Sequence, residues 1–233
     1  KGIDVTEEMK VRMSACITQL TFGLEEYTLP HYDRIYIYPE DYYHSFLKKR
    51  LKGGTSPGGM ISFSWKDFVA GFADPTDHFN LGLHEFAHAL KLEINHGENP
   101  DAKFSDLFPE WQARGTHEIE KMKLDERPYL RSYAATNIDE FFAVCVEYFF
   151  ECSQEFKSRM PELFKHLCWL LNQNPLHAQS DYSLILTARR STTFTSSSSE
   201  LHDSSPSSDT EPISLLIREK PRTNLIKAGT YKL

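Results

Sequence analysis

The residues best suited to chemistry stand close together. His84 and His88 are four apart, and Glu85 directly follows the first. On a helix, positions i and i+4 share a face with Cβ atoms about 5–6 Å apart, so the two imidazoles can converge on one cation. Imidazole nitrogens bind Zn²⁺ at about 2.0–2.1 Å. A carboxylate one residue on is placed to take a proton from a water that such a metal activates. Phe86, Ala87, Ala89 and Leu90 surround these groups with apolar side chains, which predicts a helix buried nearly all round. Three ionisable groups in one buried turn are costly unless an opposite charge meets them. A metal answers that cost; an apolar helix with satisfied core histidines is the plainer alternative, and a third ligand would separate the two.

The elements that must position this turn can be read on either side of it. Residues 5–22 have Thr6 as a helix N-cap and one stripe of Met9, Met13, Cys16, Ile17 and Leu20. Residues 34–38 (Arg-Ile-Tyr-Ile-Tyr) are a β-branched and aromatic strand stopped by Pro39. A short helix is expected from Glu40 to Leu51, closing on Lys48-Lys49-Arg50, and residues 53–59 are a flexible Gly-rich loop. Residues 61–65 alternate apolar and polar, the mark of a half-buried strand. That strand is either an ordinary internal one or a sheet edge onto which an extended peptide can add. Residues 71–75 are turn-rich, and the motif helix is expected from about Asp77 to Leu92.

Downstream, residues 105–124 return to helical spacing, with Pro109 early and Gly115 as a point where the helix could divide. His96 and His117 lie in polar surroundings and are read as solvated. A strongly apolar helix is expected from about Asn137 to Cys152, and a last one from Pro161 to Leu171. The third ligand is sought on the first of these. Asn137-x-x-Glu140 resembles a capping box, yet a carboxylate entering so apolar a helix needs a cation or donors. Glu147 lies two turns on, on roughly the same face, and the spacing leaves the choice between Glu140 and Glu147 open.

His84-Glu85-Phe86-Ala87-His88, followed some fifty residues later by Tyr133-Ala134-Ala135-Thr136 and Glu140-Phe141-Phe142-Ala143, resembles the Mlc titration factor A family over roughly residues 10–175. These are glucose-regulated zinc metallopeptidases whose catalytic fold is like that of anthrax lethal factor. The resemblance implies one Zn²⁺ per chain held by His84, His88 and Glu140, which selects Glu140 over Glu147. It also implies Glu85 as the catalytic base and Tyr133 at the active site. Aminopeptidase-like action on short peptides is a further implication, as is a transcriptional regulator as partner, the repressor Mlc. The second reading in function is therefore a protein that sequesters a regulator around a structural zinc. Against it, Glu85 is not needed in a structural site, and only three protein ligands are evident where structural zinc usually has four. Many members place an acid at the third residue after the second histidine; here Lys91 stands there, so a role for that acid does not carry over.

The fold expected is α+β and zincin-like, mostly helical with a small sheet beside the H-E-x-x-H helix. The domain is drawn at 1–176, followed by a Ser-rich, disordered tail at 177–233, where nine serines fall between Ser191 and Ser208. A net charge of −7 without clustering argues against a nucleic-acid surface, and no apolar run approaches the ~20 residues that span a bilayer. Cys16, Cys145, Cys152 and Cys168 are read as reduced core thiols, which favours the cytoplasm. The chain starts at Lys1 and not at Met, which leaves room for a signal or anchor upstream.

Overall fold

Asn80 opens the central helix, α3 (Leu81–His96), by accepting from the Leu83 N–H at 3.0 Å and so satisfying a first-turn donor. The sequence places this start near Asp77. Instead, Asp74 accepts from the Thr76 N–H at 3.0 Å and Asp77 from the Phe79 N–H at 2.9 Å. Aspartates that bond the backbone two residues on hold it in turns and compete with helix. The computed structural model describes residues 3–97, 100–125 and 128–176. The predicted tail, 177–233, lies outside them.

Around α3 stand α1 (Glu7–Thr21), α2 (Trp65–Ala73), α4 (Ala102–Leu124), α5 (Ile138–Glu151), α6 (Ser153–Arg159) and α7 (Pro161–Leu170). One sheet joins β1 (Arg34–Tyr38), β5 (Met60–Ser64) and β4 (Gly53–Ser56), in the order β1-β5-β4. β1 runs parallel to β5 and β4 antiparallel to it. The architecture is mixed α and β, mostly helical, with the small sheet lying against α3.

The sheet corrects three expectations. β5 is internal, one of the two readings open for it, and part of the Gly-rich loop expected at 53–59 is instead β4, an edge strand. Residues 40–51 are not a helix but a hairpin of β2 (Tyr42–His44) and β3 (Lys49–Leu51). Its tyrosines decide this: Tyr42 stacks on Tyr38 at 4.1 Å, and its hydroxyl lies 2.5 Å from Ser62 Oγ. Lys48 turns the chain at φ 52°, and Arg50 grips Asp41 across the hairpin at 2.7–2.8 Å, so the basic run serves a strand and not a helix end. Trp65, read as a strand's last residue, begins α2, because Ser64 caps it through the Asp67 N–H at 3.3 Å.

α4 runs unbroken through Gly115. A Cβ there would lie 2.8 Å from Ile138 Cδ1 and 3.1 Å from Phe141, so the missing side chain lets α4 and α5 cross closely. Phe104, Phe108 and Trp111 of α4 meet Phe141 and Phe142 of α5 at ring distances of 5.4–6.2 Å. All five are buried, and each contributes about 1.5–3 kcal/mol by leaving water. That block holds α5 against α4. Cys16, Cys145 and Cys168 are buried, Cys152 is half-buried, and all four are free thiols, as expected. No helix among the described residues is long and apolar enough to cross a membrane.

Candidate metal centre

The turn that carries His84 and His88 faces the first turn of α5. Asn137 caps α5 by accepting from the Asp139 and Glu140 N–H groups, both at 2.9 Å. Glu140 carries its Oε2 to the two histidines: 3.0 Å from His84 Nε2 and 3.4 Å from His88 Nε2. The two Nε2 atoms are 3.2 Å apart. Lys91, one turn past His88, reaches Asp139 at 2.7 Å and ties the two helices beside this point.

These separations suit a small cation. Ligand atoms about 2.0–2.1 Å from a tetrahedral centre stand roughly 3.3–3.4 Å from one another. The proton positions suit it too. Glu147, which is buried, lies with Oε1 2.6 Å from His84 Nδ1, which assigns the ring proton to Nδ1 as donor. That leaves the His84 Nε2 lone pair aimed at a carboxylate and at a second imidazole. Without a cation the arrangement is electron-rich and draws a proton to that nitrogen in its place. Burial pulls the His84 imidazolium down, but Glu140 and Glu147 outweigh it and hold it at about 10. Burial raises the Glu140 carboxyl, yet His84 and His88 hold it well below the usual carboxylate range. Among the described residues, His84, His88 and Glu140 form the one group of three such side chains close enough to share a metal ion.

Glu85 points to the other side of the turn. It is 5% exposed, and its Oε2 accepts from Thr55 Oγ1 of the edge strand at 2.8 Å. Burial pushes its carboxyl above the usual range, against the pull of His84, His88 and the Thr55 bond. Gly53 makes this approach possible: a Cβ there would lie 2.5 Å from Glu85 Oε1 and 2.8 Å from Leu81 Cδ1. Tyr133 sits in a 3₁₀ turn (Ser132–Ala135) on the opposite wall, its ring 6.1 Å from that of His84 and 50% exposed. Burial and the neighbouring Glu140 push its hydroxyl up to about 12, so it keeps its proton at neutral pH. Between these walls lies an open cleft of about 670 Å³, lined among others by Gly53, Leu81, His84, Glu85, Arg131 and Tyr133.

A family model described as glucose-regulated metallo-peptidase M90 matches residues 1–170. The chain belongs to this family. Among the M90 chain's relatives, Mlc titration factor A of Escherichia fergusonii is 29% identical over 196 residues, covering 75% of this chain and 71% of that protein. Mlc titration factor A of Yersinia pestis (strain Pestoides F) is 27% identical over 195 residues, covering 76% and 71%. Membership in a metallopeptidase family implies a metal ion, and the three converging donors are where this M90 chain can hold one.

Behind the M90 site stands a layer that the motif did not reveal. Glu147 does not join the three donors; it holds His84 from behind. It also accepts from the Asn80 backbone N–H at 2.7 Å and takes a two-pronged contact from the Arg131 guanidinium. Asn80 donates further to Gly71 O at 3.2 Å and to Glu151 Oε1 at 3.1 Å. The helix cap, the imidazole and the wall that carries Tyr133 thus share one buried carboxylate. Such supporting contacts fix ring orientation and ligand basicity. Glu147→Gln is therefore expected to weaken metal binding by roughly 10–100-fold, with the three donors intact. A metal titration followed by competition with a chelator checks it; unchanged affinity would reduce Glu147 to a packing role.

Proposed function

We propose that this chain is a zinc-dependent peptidase with a zincin-like active site, acting by general-base hydrolysis of peptide bonds, with an aminopeptidase-like preference for short substrates. The observation that carries the reading is the juxtaposition of three donor atoms 3.0–3.4 Å apart with a buried carboxylate, Glu85, on the cleft side of the same turn. His84, His88 and Glu140 would hold the ion. When bound, zinc supplies a Lewis acid that makes water acidic near neutral pH and draws negative charge at a carbonyl oxygen. Glu85 takes the proton of the attacking water and delivers it to the leaving amine. Its raised carboxyl suits both directions of that transfer. Tyr133, which keeps its hydroxyl proton, donates to the charge that grows on the carbonyl oxygen. The edge strand β4 offers main-chain groups to an extended peptide, and Thr55 on it steadies Glu85.

Tyr133→Phe should lower kcat by roughly 10²–10³ while leaving the melting temperature nearly unchanged, since the side chain is half exposed. Steady-state kinetics with amino-acid p-nitroanilides, beside a thermal melt, reads both quantities. A fall in melting temperature alone would assign the hydroxyl to packing. The reading as a whole is tested by the same substrates with and without a chelator, and by metal analysis of the purified protein.

A second role has its own support in the relatives' name, Mlc titration factor A. We infer that a transcriptional regulator is a candidate partner, and sequestration and hydrolysis can reside in one chain. Binding that survives removal of the metal would separate the two roles. Four free thiols fit a reducing compartment such as the cytoplasm.

A further inference from the structure

We infer that the cleft beyond His84 is a selective subsite for a bulky apolar side chain, carried by the substrate residue immediately after the cleaved bond. The inference rests on the peptidase reading and names the substrates that reading leaves open. The cleft is lined by His84, Glu85 and Tyr133 and extends past Leu81 and Phe79 to Ala70 and Gly71. His88 and Glu140 do not line it, so it opens to one side of the metal-binding group.

Phe79 is the decisive wall. This large aromatic, 57% exposed, is supported from two sides: the Arg131 guanidinium lies 4.5 Å from its ring centroid, and its backbone N–H donates to Asp77. The side chain stays more than half exposed and lines the cleft. Such a preset apolar surface binds a side chain without first having to be ordered. Ala70, a small and exposed residue, and the aliphatic Leu81 line the same cleft.

The charges in the wall argue against an acidic side chain. Lys52 faces Asp67 at 2.7 Å, Arg50 faces Asp41 at 2.7 Å and Arg131 faces Glu147. Each cation that lines the cleft already has its carboxylate, and Asp77 and Glu85 add negative charge. An incoming Asp or Glu would lose its hydration and gain no counter-ion.

For a peptide that adds antiparallel to β4, chain direction sets the side. β4 runs antiparallel to β5. A peptide that continues the sheet antiparallel on the far edge of β4 has its later residues over Gly53, at the strand's beginning, where the cleft lies. An aminopeptidase-like substrate also has a single residue before the cleaved bond, so a cleft of about 670 Å³ must serve the residues on the other side of that bond.

The test uses two series of short fluorogenic peptides, one varying the residue before the bond and one the residue after it, from Ala through Leu and Phe to Asp and Lys. In the metal-loaded parent, kcat/KM should rise by roughly 10–200-fold from Ala to Leu or Phe at the second position, and fall for Asp. Phe79→Ala should flatten that ratio by tenfold or more. Ala70→Phe, placed on an exposed helix face, should reverse it by filling the space. Selectivity that tracks only the residue before the bond, a preference for Lys (which would assign Asp77 as the determinant), or a ratio unmoved by both variants overturns the subsite. If the parent hydrolyses none of the peptides, metal-loaded Glu85→Gln is titrated with the same series by fluorescence anisotropy. Binding in the apolar order there upholds the subsite while the peptidase reading fails; binding without that order overturns the subsite as well.

Discussion

Glu85→Gln is expected to yield a protein that keeps its metal and no longer hydrolyses peptides. The substitution is nearly isosteric, so the space beside Gly53 is still filled, and the amide oxygen can still accept from Thr55 Oγ1, now 2.8 Å from the carboxylate. His84, His88 and Glu140 are untouched. The ability to take a proton is lost, and a positioned general base is worth roughly 10²–10⁴ in rate. Because, in the proposed mechanism, the same group also returns that proton to the leaving amine, the loss should fall at the upper end of that range. Turnover of a peptide substrate, measured beside metal content by atomic absorption, is the experiment. Full metal content with activity within tenfold of the parent would remove Glu85 from the role of base.

Glu140→Ala carries the second large effect, on the metal itself. Glu140 supplies the anionic donor of the three, and its Oε2 lies within 3.4 Å of both imidazoles. Its loss leaves two neutral rings on one helix turn, and the affinity should fall by more than the roughly 10–100-fold expected from a supporting residue such as Glu147. The helix should survive, because its cap is made by Asn137 and its core by Phe141 and Phe142. Binding of a ligand only to the folded state stabilises it by about 2.7 kcal/mol at a hundredfold excess over Kd. Zinc should therefore raise the melting temperature of the parent and leave that of Glu140→Ala unmoved. A zinc-dependent rise that persists in the variant would place the anionic donor elsewhere, with Glu147 the nearest carboxylate.

The features legible in the residues and those that were not divide along physical lines. Period and caps announced α1, α5 and α7, because Thr6, Asn137 and Pro161 mark their starts and their apolar stripes are long. The convergence of His84, His88 and Glu140 came from helix spacing and family resemblance together; spacing alone could not rank Glu140 against Glu147. The geometry shows why. Both carboxylates reach His84, one at Nε2 and one at Nδ1, so they share a helix face and differ only in which side of the ring they meet. Thr55 and Gly53 escaped notice because a Gly-rich strand carries no alternating pattern; it is held in place by β5 and α3. Arg131 gave no local signal, since its importance arises from contacts with His78 O, Glu147 and Phe79 that are distant in sequence. The hairpin at 42–51 was missed because charge at a helix end is a weak cue beside the stack of Tyr42 on Tyr38 of the neighbouring sheet.

Gly53 gives this chain a dial that lies outside its histidine motif. A methyl group at that one strand position would press on the carboxylate of Glu85 and on Leu81, and none of its three nearest contacts is with His84, His88 or Glu140. A paralogue that keeps H-E-x-x-H and the distant glutamate but carries alanine or valine there should load zinc normally and turn over slowly. Sorting such chains into hydrolases and pure decoys by their histidine motif would therefore misfile them; the residue facing the base from the neighbouring strand is the better discriminator.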